Sequence, residues 1–129
     1  MVLTILALMT ALATPRVAGW VDRLAVMRSA QEFSSFFNSA RMGAVHWSSR
    51  IRINITRDSL IAIAEGKSDS VLIRVSGPAI HGVSLDVSRA DIRLYPTGVG
   101  LGAANTRLVL QRGAFAETLT VSRLGRLRR

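Results

Sequence analysis

Cysteine is absent from all 129 residues, so disulfides, thiolate metal sites and cysteine nucleophiles are excluded. That absence does not fix a compartment, because periplasmic proteins also manage without cysteine. Histidine is scarce as well: only His46 and His81 occur, far apart in sequence. Neither has a His, Asp or Glu neighbour at metal-ligand spacing. Acidic residues number 8 against 17 basic ones, leaving a net charge of +9, and all the basic residues except Lys67 are arginine. Such a balance favours encounter with nucleic acid, anionic lipid or an acidic partner. Charge of either sign is missing from every side chain between Met1 and Thr14.

These gaps argue against enzymatic chemistry. Asp86 and Asp91 are the one carboxylate pair worth weighing, and they would have to converge across a turn to share acid–base work. His46 beside Trp47 reads as a helix-exit or packing residue, and His81 beside Gly82 as a loop residue. Gly98-Val99-Gly100-Leu101-Gly102 resembles a nucleotide-binding glycine loop, but such loops need a helix N-terminus next to hold phosphate. Thr106 to Leu110 reads as a strand instead, so the glycines are expected to form a hairpin connection. No serine–histidine–aspartate arrangement can be argued. We therefore expect no enzyme, no cofactor, no metal and no small-molecule substrate.

What is abundant is apolar sequence, 49% of the chain, far above the level of disordered proteins. It begins with the uncharged run from Met1 to Thr14, with Leu3, Ile5, Leu6, Leu8 and Leu12 as its large side chains. Fourteen helical residues span only about 21 Å, short of the roughly 30 Å hydrocarbon core of a bilayer. Adding Val17 to Val21 lengthens the span, with Arg16 snorkelling to the interface. A cleaved signal peptide competes, since Ala11-Leu12-Ala13 resembles a small-x-small cleavage site, although no basic residue precedes the run. A buried globular helix and a chain starting at an internal methionine are the remaining alternatives. Pro15 is expected to kink a continuous helix or to open a new one.

Beyond Pro15, helical spacing continues through Val17, Trp20, Val21 and Leu24, then Phe33, Phe36, Phe37, Ala40 and Ala44. The phenylalanine stripe predicts a helix to about Val45 that packs on a sheet. Arg23, Arg28, Arg41, Asp22 and Glu32 should lie toward water, and residues 46–49 should form the exit loop. Strict alternation of Ile51, Ile53 and Ile55 predicts a half-buried antiparallel strand. Further strands are expected at 60–64, 71–75, 83–87, 92–94, 106–110 and 118–122, with a turn over Glu65 to Ser68. A helix followed by short strands gives an α+β head, with the helix against one sheet face. We expect residues 1–20 to be the anchor and 21–129 the head, without a long linker or internal repeat.

The chain ends in an arginine cluster: Arg123, Arg126, Arg128 and Arg129 around Gly125. On a short exposed tail these groups would contact phosphates in a salt-dependent way, or dock a protein partner. Trp20, Trp47 and Tyr95 are remote in sequence, so base stacking on the tail is unsupported.

Taken together, the apolar run into Ala13-Thr14-Pro15, the long helix, Ile92-Arg93-Leu94-Tyr95-Pro96-Thr97-Gly98 and the ending from Glu117 to Arg129 resemble a known family. It is that of the H-type minor pseudopilins of type II secretion and the related FimT-like minor type IV pilins. In that family a strand runs into a Phe-x-Pro-x-Gly turn, and a final strand ends in Gly-Arg-x-Arg. Here Leu94 replaces the usual Phe, and the ending is Gly125-Arg126-Leu127-Arg128. The resemblance implies a pilin-like fold, a single inner-membrane helix and a periplasmic head. It also implies a structural role in pseudopilus assembly and protein export, with other major and minor pseudopilins as partners. The FimT-like branch implies an alternative, DNA binding through the arginine ending for DNA uptake. The family opens with a basic leader cut by prepilin peptidase, then Phe and a docking Glu. None of these is present before Met1, so by resemblance the leader and first mature residues are expected to be missing.

Overall fold

The computed structural model describes residues 1–100 and 105–129. A single helix, α1 (Val2–His46), is followed by β1 (Arg50–Ile55), β2 (Ser59–Glu65) and β3 (Ser70–Ser76). A short 3-10 helix (Pro78–His81) leads to β4 (Ser84–Val87) and β5 (Asp91–Leu94). The chain ends with β6 (Thr106–Arg112), β7 (Phe115–Val121) and β8 (Leu127–Arg128).

The strands form two four-stranded antiparallel sheets rather than the one expected, in the orders β3-β2-β1-β5 and β4-β6-β7-β8. β4 joins the second sheet and β5 returns to the first, so the two sheets are tied by an exchange of strands. Alternation along a strand says which face is buried but not which strand lies alongside, which is why the division was not visible. Asp86 and Asp91 consequently stand on different sheets, and Asp91 accepts a hydrogen bond of 2.9 Å from Asn54 Nδ2.

The helix packs across both sheets, against β6 and β7 on one side and β1, β2 and β3 on the other. Its buried residues are Ala25, Val26, Ser29, Ala30, Phe33, Phe36, Phe37, Ala40 and Ala44. Their spacing of three and four keeps one stripe facing inward, and the small residues let the backbone approach the sheets. Ile51, Ile53 and Ile55 from β1 meet Leu108, Leu110, Leu119 and Val121 from the second sheet in one continuous core. The helix ends as predicted near His46: Trp47 N donates to Gly43 O at 2.9 Å, and Ser48 takes a left-handed conformation with φ 47°. Trp47 and His46 are both exposed, their rings edge to face at 5.1 Å.

Candidate functional site

Two surfaces stand out, one at each end of the chain. The first is the amino-terminal half of α1. Every residue from Met1 to Val21 is solvent-exposed, and burial begins only at Ala25. Leu3, Ile5, Leu6, Leu8 and Leu12 all project away from the head; Leu12, for example, is 69% exposed. Val17, Trp20, Val21 and Leu24 continue this exposed surface instead of packing with the phenylalanine stripe. The best 18-residue stretch has a mean hydropathy of 1.6, and none of it is buried.

The helix runs unbroken through Pro15, so of the two alternatives there, a continuous helix or a new one, the chain takes the first. Pro15 cannot donate the backbone hydrogen bond that would reach Ala11 O. The Thr14 hydroxyl donates to that same carbonyl at 3.2 Å. Thr10 donates to Leu6 O and Ala7 O at 2.9 Å each, and Thr4 donates to Met1 O at 2.8 Å. All three hydroxyls of the apolar run thus bond within the helix, the arrangement that a hydrocarbon surrounding demands of polar groups. Continuity through Pro15 also removes the shortfall in length. Val2 to Val21 measures about 30 Å, comparable to a hydrocarbon core.

The second surface is the arginine-bearing ending. It is not a free tail: Ser122 N donates to Arg126 O at 2.8 Å and Gly125 N to Ser122 O at 3.0 Å, folding it into a hairpin. β8 then pairs with β7, placing Leu127 opposite Val121 and Arg128 opposite Thr120. This strand was missed because it is two residues long and its arginines read as solvated. Arg126 and Arg128 alternate with half-buried Leu127 and so share the outward face. Neither makes an ion pair among the described residues. Arg123 is exposed on the turn, and its N–H donates to Asn105 Oδ1 at 3.0 Å. Arg129 reaches back: its Nε donates to Glu117 Oε1 at 2.7 Å and its Nη1 to Gln31 Oε1 at 3.4 Å. The hydrogen bond that Arg129 donates to Glu117 holds its guanidinium above the ordinary pKa, so this arginine stays charged at any working pH.

The hairpin is fixed to the Tyr95–Gly98 turn. Gly98 N donates to Tyr95 O at 2.8 Å, and Gly100 N donates to Arg123 O at 3.0 Å. Gly98 and Gly125 both have positive φ, 79° and 73°. A Cβ on Gly125 would collide with the Gly98 carbonyl, so only glycine permits this approach. Arg41 lies over both turns and donates from Nη1 to Gly125 O at 3.1 Å. The two sequence signatures, LYPTG and GRLR, are therefore halves of one structure clamped by a helix arginine. The rest of the glycine run at Leu101 and Gly102 lies outside the described residues.

Arg41 was expected to face water, yet it is half-buried. Its position four residues after Phe37, beside the buried stripe, was the available signal. Asp22 and Glu32 are likewise turned to the head. Asp22 Oδ1 pairs with Arg112 Nε at 3.0 Å, and Glu32 Oε2 lies 3.0 Å from His81 Nε2. Arg112 Nη1 also donates to His81 O at 2.6 Å, tying the 3-10 helix to the second sheet. His81 thus links that helix to α1, beyond the loop role expected. Arg23 and Arg28 are exposed, with Arg23 5.7 Å from the Phe115 ring centroid.

Comparison with known proteins agrees with this arrangement. The family model described as "Type II transport protein GspH" matches residues 29–125. Among solved structures, the chain resembles the type IV minor pilin FimU of Pseudomonas aeruginosa strain PAO1 in two crystal forms. One gives a TM-score of 0.69 at 16% identity, covering 82% of this chain and 88% of that one. The other gives a TM-score of 0.65 at 16% identity, covering 79% and 90%. At this identity the likeness concerns the fold: a long helix packed on antiparallel sheets. A search among curated proteins finds no match.

Proposed function

Because the chain belongs to the GspH family of type II transport proteins, we propose that it serves as a minor pseudopilin in a type II secretion system. Family and fold together make it a structural pilin-like subunit. The finer reading is that its helix crosses the inner membrane, holds the head in the periplasm and packs against other pseudopilins. Cycles of such assembly would drive folded substrates through an outer-membrane channel. The observation that carries this reading is the exposure of α1 on all sides up to Val21, followed from Ala25 by burial of one face.

Magnitudes support a membrane position for the exposed half. Val2, Leu3, Ile5, Leu6, Leu8, Leu12, Val17 and Val21 each contribute about 0.3–0.6 kcal/mol to insertion, together about 2–5 kcal/mol. A lone arginine at the bilayer centre costs about 2.5–3.5 kcal/mol. Arg16 sits only about 8 Å along the helix from Val21, within snorkelling reach of the interface, so its cost is smaller. The apolar side chains win.

The test is export. Deleting the gene should stop secretion of type II substrates, and the wild-type chain should restore it. Normal export in the deletion strain would count against the role.

A second reading, DNA binding for uptake, is favoured by the exposure of Arg126 and Arg128 on the outward face of the hairpin. It requires duplex binding by the full chain that weakens as salt rises and drops on combining Arg126→Ala with Arg128→Ala. Salt-insensitive binding, or none, would rule it out.

A further inference from the structure

The carboxyl-terminal hairpin does not lie flat against α1. Between them runs an open groove of about 490 Å³. Its floor is the polar face of the helix, with Gln31, Ser34 and Asn38, and Arg126, Arg128 and Arg129 stand along its hairpin wall. Arg41 closes one end beneath Gly125, and Arg129 reaches across to Gln31. We infer that this groove receives an acidic segment of a neighbouring protein subunit. The inference rests on the assembly role proposed above and names the kind of contact one partner makes.

Charge supplies the first argument. Four guanidinium groups border the groove, and Glu117 is the one carboxylate that pairs with any of them among the described residues. Arg126 and Arg128 therefore present unneutralised donors to whatever enters, and their planar forks suit carboxylates. Shape supplies the second. The walls are preformed: β8 is paired to β7, and Arg41 fixes the turn at Gly125, so little ordering entropy remains to be lost on binding. The floor supplies the third. Gln31 and Asn38 offer amide donors and acceptors without adding charge, which suits an extended peptide backbone between acidic side chains.

The same features argue for a protein segment over nucleic acid at this place. No aromatic side chain lines the groove, so a single strand would have no base to stack on. A duplex is too broad to enter and would touch only the arginines on the rim, leaving Ser34 and Asn38 out of contact. That difference makes the floor residues the discriminating probe.

The test uses the full chain in detergent micelles and a fluorescein-labelled oligo-glutamate peptide, with an oligo-lysine peptide and a DNA duplex as comparators. Oligo-glutamate should bind saturably, weaken with salt and weaken about tenfold on combining Arg126→Ala with Arg128→Ala. Combining Ser34→Leu with Asn38→Leu, which leaves every charge in place, should weaken the peptide equally and leave any duplex binding unchanged. In the wild-type protein, the side-chain amide signals of Gln31 and Asn38 should move on peptide addition, a readout needing no variant. Binding of oligo-lysine as tight as oligo-glutamate, unmoved amide signals, or a floor variant that binds like wild type would each overturn the inference. Export by the floor variant is measured separately. A groove that binds while export in the deletion strain stays normal would retire the secretion role and leave the groove standing.

Discussion

The two halves of α1 are both rich in apolar residues, yet they meet different surroundings. From Val2 to Leu24 the large side chains point in every direction and stay exposed, and the three threonine hydroxyls bond back to helix carbonyls. From Ala25 to Ala44 the apolar residues form one stripe sealed against two sheets, while Glu32 and Arg41 beside it bind partners on the head. Hydrophobic content is therefore a poor guide to burial within the molecule; its angular distribution is the better one. A helix apolar all round calls for an apolar environment all round, and the head buries none of the residues from Met1 to Val21.

The comparison breaks most sharply at Phe37, which is fully buried in the core. Phe37→Ala should cost the head about 3–5 kcal/mol by leaving a cavity, read as a lowered denaturation midpoint. Leu8→Ala should leave that midpoint within about 0.5 kcal/mol of wild type, because Leu8 touches nothing in the head. Equal losses at the two positions would mean that the halves are not distinct. Next in size, Leu8→Arg should cost about 3 kcal/mol in membrane insertion, measured as a shift from the membrane fraction to the soluble one. Met27→Arg, on the exposed side of the packed half, should partition like wild type.

A smaller effect sharpens the role of the packed half. Arg41→Ala removes the charged donor to Gly125 O and should cost about 1–2 kcal/mol in head stability. It should also loosen the hairpin, seen as faster amide exchange at Gly125 and Arg126. Unchanged exchange would show that pairing of β8 with β7 suffices to hold it.

Much of the head was legible in the sequence, and the reasons are local. Ile51, Ile53 and Ile55 alternate strictly, and the phenylalanine stripe repeats at helical spacing, so β1 and the buried face of α1 follow directly. What was hidden depends on contacts between distant segments. Nothing in β4 or β5 says that one joins each sheet. Nothing in Arg126 or Arg128 says that the ending turns back at Gly125 to pair with β7. Charged residues at helix positions 22, 32 and 41 read as solvated, and only the sheets opposite them reveal their partners. The candidate site was named in part: the arginines were found from their clustering, but the floor and the Arg41 clamp come from α1, more than eighty residues away in sequence.

The absence of native cysteine makes the division of α1 directly measurable. Single cysteines placed from Leu3 to Gln31 in the membrane-inserted chain can be treated with a membrane-impermeant maleimide. Positions 3, 6, 8 and 12 should resist labelling, while positions 27 and 31 should label freely, with the change falling between Arg16 and Leu24. Uniform labelling along the whole series would contradict the account, because it would place the exposed half of the helix in water.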